Sequence, residues 1–237
     1  SEPNCTAAVW HSLQGLCALK AELGQAFKGR FVAACRPAPL PPPPPFRFST
    51  AHSDHMVLQA APLQAAVWGF CEPGDEVTIR FNNAKPTLPT KLSTVSGSTI
   101  WSVALPVTKA SFSAYTIDAH SKLSNKTITL SDVLFGDVWL CSGQSNMEWP
   151  VSKAQNPADE AAAANYPRIR HFMVQKNPSL TVVADCIGKW EVCSPETVRD
   201  FSATAYFTGR ELEGNLDVPI GLLVSAYGGT CVEAWTN

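Results

Sequence analysis

From Phe46 to about Leu130, apolar and polar residues alternate in short runs separated by turn formers: "FRFST", "MVLQ", "AAVWGF", "EVTIRF", "WSVALPV", "SAYTIDA" and "KTITLSDV". In "EVTIRF", Val77, Ile79 and Phe81 fall on one side of the chain and Thr78 and Arg80 on the other, as a strand with one buried face requires. Pro73 and Gly74 in "EPGDE" predict a tight connection between two of those strands. The pattern predicts a small antiparallel β-sandwich.

Beyond Leu130 the rhythm becomes strand, loop, helix. "VLFGDVWLC" is a near-continuous apolar run, which predicts a strand buried on both faces. "NPADEAAAANY" is Ala-rich with early acidic residues and reads as a helix. "RIRHFMV" reads as a strand, "VRDFSATAYFTGRELEGNL" as a helix from its apolar spacing, and "VPIGLLVSAYGG" as a buried strand ending in glycines. This alternation predicts a parallel sheet with helices on its faces.

Ahead of both regions lie one helix-like segment, "SLQGLCALKAELGQAF", and five consecutive prolines at positions 41–45. Such a run is extended and lacks internal hydrogen bonds, as in a spacer or an SH3-type ligand. Three units are expected: a leader and linker over 1–45, a β-sandwich over 46–130, and an α/β domain over 131–237.

Composition narrows the function classes. With 45% hydrophobic and 16% charged residues the chain can build a core, and a net charge of -2 with no dense Lys/Arg cluster argues against a nucleic-acid partner. No apolar run approaches the about 18 residues of a membrane-spanning helix, so no transmembrane segment is expected. The first 35 residues show no secretory signal pattern.

Eight cysteines are dispersed without a CxxC pair, and no metal site is expected. Cys186 and Cys193 flank "IGKWEV" and are either a bridged loop or two buried thiols. The sequons at Asn4 and Asn125 are candidate glycosylation sites.

The chemistry concentrates in "DVWLCSGQSNMEW", residues 137–149, where an apolar strand runs into Ser-Gly-Gln-Ser-Asn. In an open parallel sheet, reactive groups gather at the carboxyl ends of strands. Ser145 there can present its hydroxyl to solvent beside backbone N–H groups able to stabilise an oxyanion, and Gly143 permits the tight backbone. The competing reading of Ser145 or Asn146 is a simple helix cap.

"FGDVWLCSGQSNMEWPV" resembles the nucleophile block of the sialate O-acetylesterases, carbohydrate esterases of the SGNH-hydrolase superfamily. "HMVLQ" followed by "VWGFCEPGDEVTI" is similar to the N-terminal β-domain of that family, and "VPIGLLVSAYGGTCVEAW" to its second block. The resemblance covers Phe46 to Trp235. It implies a β-sandwich followed by the N-terminal portion of an incomplete, flavodoxin-like, three-layer SGNH domain. It further implies Ser145 as the nucleophile, with its own N–H in the oxyanion hole. Gly229, with Gly228 as the alternative, would supply the second donor. Gln144, Asn146 and Met147 would support the turn. The implied substrates are O-acetylated sugars, sialic acids above all, cleaved without metal or organic cofactor. The implied setting is secreted or lysosomal, and the resemblance specifies no oligomeric state.

Taking the proton from serine requires a base, usually a histidine held by a carboxylate. The resemblance places that pair in an Asp-x-x-His or Asp-x-His block beyond Asn237, so these 237 residues are expected to show at most the residual catalysis of a site without its base, about a thousandfold over water. An apolar sheet edge is expected to be exposed. Of the five histidines, His11 lies in the leader, His52 and His55 precede the strand run "MVLQ", and His120 follows Asp118 within the β-region. His171, in "RIRHFMV", is expected to pack within its strand. The rival reading is a non-catalytic carbohydrate- or partner-binding protein with a vestigial esterase domain, in which Trp68, Trp101, Trp139, Trp149 or Trp235 stacks on sugars.

Overall fold

The computed structural model describes residues 46–95, 97–179 and 183–235. The helix-like leader segment, the proline run, His11, Asn4, Cys5, Cys17 and Cys35 lie outside the described residues.

The β-rich region opens with β1 (Arg47–Phe48), β2 (Val57–Gln59), β3 (Ala66–Cys71) and β4 (Val77–Phe81). It continues with β5 (Leu88–Pro89), β6 (Lys91–Val95), β7 (Ser98–Ala104), β8 (Ser111–Ser121) and β9 (Lys126–Gly143). Strands β1, β3, β7 and β6 form one antiparallel sheet, in the order β1-β3-β7-β6. The tight turn at Gly74, whose φ is 82°, carries the chain from β3 in that sheet to β4 in the other. Asp75 is buried beside it and accepts hydrogen bonds from Ser121 Oγ at 2.5 Å and the Leu123 N–H at 2.9 Å. Two connections are thereby tied together.

Alternation has the expected consequence for packing. Val77, Ile79, Trp101, Leu105, Ile117 and Phe135 are buried in one apolar cluster, and the Trp101 ring nitrogen donates to the Phe70 carbonyl at 3.2 Å. Strands β5 and β6 come from a polar, proline-interrupted stretch in which no strand is legible. Residues 91–94 are exposed, and the strand lies at a sheet edge, where charge and poor patterning are tolerated.

The second region adds α1 (Ser145–Glu148), α2 (Pro157–Ala163), β10 (Tyr166–Met173), β11 (Trp190–Cys193), α3 (Ala203–Leu216) and β12 (Ile220–Ala226). Strand β12 runs parallel to β10 on one side and to β9 on the other, and β11 pairs antiparallel with β10. Helix α3 buries Ala203, Ala205, Tyr206 and Gly209. It starts later than the apolar spacing suggests because Ser202 caps it, its side chain accepting the Ala205 N–H at 3.1 Å; Val198 and Phe201 are buried ahead of the cap.

Strand β9 joins the two regions. Its first half pairs antiparallel with β8 from Lys126 to Phe135, and its second half pairs parallel with β12 from Asp137 to Gly143. The changeover falls at Gly136, where a Cβ would lie 1.9 Å from the Pro219 carbonyl oxygen, so only glycine fits. The expectation of burial on both faces holds for Val133, Leu134 and Phe135 and fails further on: Trp139 is 44% and Leu140 57% exposed. Beyond Gly136 the paired neighbour among the described residues is β12 alone, which leaves the other edge open. Cys193 is a buried free thiol, so the Cys186–Cys193 bridge is not formed, and burial pushes the Cys193 thiol up to about 12. Among the described residues no helix is long and apolar enough to cross a membrane.

Candidate active site

Parallel pairing brings the carboxyl ends of β9 and β12 side by side. Ala226 stands opposite Gly143, and the Tyr227 N–H donates to the Gly143 carbonyl at 3.0 Å. From Gly143, at φ 148°, the chain turns into α1, and Ser145 is exposed at its start.

Gln144 caps this turn. Its Oε1 accepts the Ser145 N–H at 2.8 Å and the Ser145 Oγ hydroxyl at 2.5 Å. Asn146 and Met147 tie α1 to α3: Thr204 Oγ1 donates to the Asn146 carbonyl at 3.0 Å, and Ser202 Oγ lies 3.7 Å from Met147 Sδ.

The loop after β12 carries Gly228 and Gly229. A Cβ at Gly228 would lie 3.5 Å from Ser145 Cβ and 3.1 Å from Glu148 Oε2, whereas one at Gly229, at φ 84°, would meet nothing within 4 Å. Gly228 is therefore the glycine against the serine. Its N–H donates to Glu148 Oε2 at 2.8 Å. The other Glu148 oxygen pairs with Lys176, whose Nζ stands 4.8 Å from the centre of the Tyr227 ring. The hydrogen bond from Lys176, aided by the one from Gly228 and opposed by partial burial, holds the Glu148 carboxyl below the usual glutamate range.

Sequence reasoning named neither Glu148 nor Lys176. Glu148 sits inside the quoted motif, which gave its position without its partner. Lys176 follows β10 in a stretch with no chemical signature.

None of the four described histidines hydrogen-bonds Ser145. His171 is buried, stacks on Phe201 at 4.3 Å and meets Thr197 Oγ1 at 3.2 Å; burial lowers it to about 4. It is a packed strand residue. His52 is likewise lowered to about 4 by burial, and His120 meets Thr127 Oγ1 at 3.1 Å. The carboxylate of Asp118 takes Arg80 and Thr129 as partners. His55 pairs with Asp132 at 2.7 Å, and Arg170 reaches the same carboxylate at 2.6 Å. Burial raises Asp132, but hydrogen bonds from Arg170 and His55 prevail and hold it below the usual range.

Of the tryptophans, Trp68 and Trp101 are buried, and Trp139 and Trp149 are exposed. Asn125 is exposed in the β8–β9 turn, with φ 50°. A cavity of about 1010 Å³ lined by His52, Gln59, Trp68, Val138 and Trp190 does not include Ser145. Its lining also includes Lys91, Ser93 and Ser102, on β6 and β7, away from the parallel strand ends at which Ser145 stands.

No protein-family model matches the chain. It is 35% identical to the sialate O-acetylesterases of Pongo abelii and Homo sapiens and 36% identical to that of Rattus norvegicus, in each case over 204 residues and 81% of this chain. It also matches the crystal structure of a carbohydrate acetylesterase from Xanthomonas citri, with a TM-score of 0.67 and 31% identity over 81% of this chain and 42% of that one. Over 81% of its length the chain is similar in sequence to the sialate O-acetylesterases. It spans 39% of the length of the orangutan and human relatives and 38% of the rat one. The fold shared with the Xanthomonas citri enzyme is a mixed α/β one with sheets and few helices.

Proposed function

We propose that the chain contributes the nucleophile of a carbohydrate esterase that removes O-acetyl groups from sialic acids or related acetylated sugars. The observation that carries this reading is the exposed Ser145 at the end of β9 with the Gly228 backbone packed against it. The Ser145 hydroxyl oxygen attacks the acetyl carbonyl carbon and passes its proton to a base. The tetrahedral oxyanion takes hydrogen bonds from the glycine loop and from the Ser145 N–H, which exchanges its bond to Gln144 Oε1 for the oxyanion. The sugar oxygen then leaves with a proton, and water releases acetate from acetyl-Ser145.

The base is a histidine other than the four described, in keeping with the Asp/His pair that the resemblance implies. Gln144 and Asn146 hold the turn. On this reading 46–130 is a β-sandwich that braces an SGNH-type α/β portion from 131 onward. The chemistry requires neither metal nor organic cofactor. A secreted or lysosomal setting and glycosylation at Asn125 fit the exposure of that residue.

The exposed Trp139 and Trp149 support a rival, non-catalytic sugar-binding or partner-binding role. One experiment separates the two. Acetate release from O-acetylated sialic acid is measured with the full gene product and its Ser145→Ala variant, alongside mass spectrometry for acetyl-Ser145. Release that disappears in the variant is expected. Sugar binding without release, or turnover that survives the substitution, would reject the esterase reading.

A further inference from the structure

Ser145 and Glu148 are three positions apart on α1, so both face the same side of that turn. The Glu148 carboxylate spans two neighbouring loops: one oxygen accepts the Gly228 N–H after β12, and the other pairs with Lys176 after β10. With α1 itself following β9, three adjacent parallel strands have their carboxyl ends joined through one side chain.

We propose that Glu148 is a positioning residue that holds the glycine loop against Ser145 and, by engaging the Gly228 N–H, leaves the Gly229 N–H as the second oxyanion donor. The proposal rests on the esterase reading for its catalytic consequence, though not for its structural one. Lys176 makes the latch charge-assisted, and such hydrogen bonds are shorter and roughly twice as strong as neutral ones. The Lys176 ammonium over the Tyr227 ring fastens the residue preceding Gly228 to the same point. Glu148 touches neither substrate nor reacting atoms in this scheme. Its effect is on where a donor stands, and misplacing an oxyanion donor lowers kcat without weakening ground-state binding.

The test uses the full gene product and two readouts. With 4-methylumbelliferyl acetate, Glu148→Ala is expected to lower kcat about 10- to 100-fold, less than the loss of a whole donor, with KM within about twofold. Glu148→Gln can still accept from Gly228 and is expected to recover part of that loss. Lys176→Met is expected to lower kcat less than Glu148→Ala. Independently of activity, amide hydrogen exchange across 227–230 is expected to accelerate about tenfold or more in Glu148→Ala at an unchanged melting temperature.

Unchanged exchange in Glu148→Ala would overturn the latch whatever the activity shows. A wild-type kcat in Glu148→Ala, with Ser145→Ala inactive, would overturn the catalytic role of the latch alone. A Ser145→Ala variant with wild-type turnover would overturn the esterase reading and leave the exchange result to decide the latch.

Discussion

The two halves of β9 share one strand and have opposite fates. Residues 126–135 lie against β8 and place Leu130, Val133 and Phe135 in the main core, whereas residues 137–143 have β12 on one side and leave Trp139 and Leu140 exposed. Gly136 divides them, at the point where the Pro219 backbone crosses too closely for any side chain. Stability resides in the first half. The second half leads to the proposed nucleophile, and its loops are held by hydrogen bonds that Gln144 and Glu148 accept rather than by burial. An active serine must reach solvent and substrate, so the core that supports it stops a few residues short.

Substitutions on either side of Gly136 test that contrast. Phe135 is fully buried and makes edge contacts with Phe81 and Tyr115, so Phe135→Ala is expected to destabilise by about 3–5 kcal/mol, read from the urea midpoint. A loss below about 1 kcal/mol would show that the first half is not the stabilising one.

Next in size is a pH effect from β10. His171 titrates near 6.5 when unfolded and at about 4 in the fold, where burial keeps it neutral. Between those values the unfolded chain binds a proton that the folded chain refuses. Stability is therefore unaffected above about pH 6.5 and falls as the pH drops toward 4, by up to about 3 kcal/mol for this residue. His52 acts in the same direction, so urea midpoints at pH 7.5 and 4.5 should show His171→Gln flattening the dependence without abolishing it. An unchanged slope would remove His171 as a cause.

The smallest effect is expected at Leu140. Being 57% exposed, it should tolerate Leu140→Ser within about 0.5 kcal/mol by urea denaturation. A loss comparable to that of Phe135→Ala would mean the second half of β9 is covered in solution.

Much of this was legible beforehand, and for a physical reason. Alternation in "EVTIRF" and the apolar runs of "VPIGLLVSAYGG" are local signals, and they place β4 and β12 where the structure has them. Strand β6 was not legible because an edge strand with exposed residues carries no periodic pattern. The "VLFGDVWLC" run misled in its second half, since hydrophobicity reports a capacity for burial and not the presence of a neighbour. At the site, Ser145 and the glycine pair stood out by residue type. Their closeness rests on the parallel register of β9 and β12, a pairing of positions about 80 apart in the chain.

By itself the amino-acid order determined the strand-rich and alternating regions, the candidate nucleophile and the two glycines, because each depends on the side chains of a few consecutive residues. Only the tertiary structure decided that β9 is continuous across both regions, that Gly228 rather than Gly229 lies against Ser145, and that Glu148 joins them to Lys176. Those outcomes depend on which distant backbones pack side by side, and no local pattern encodes a contact between residues that meet only after the sheet has formed.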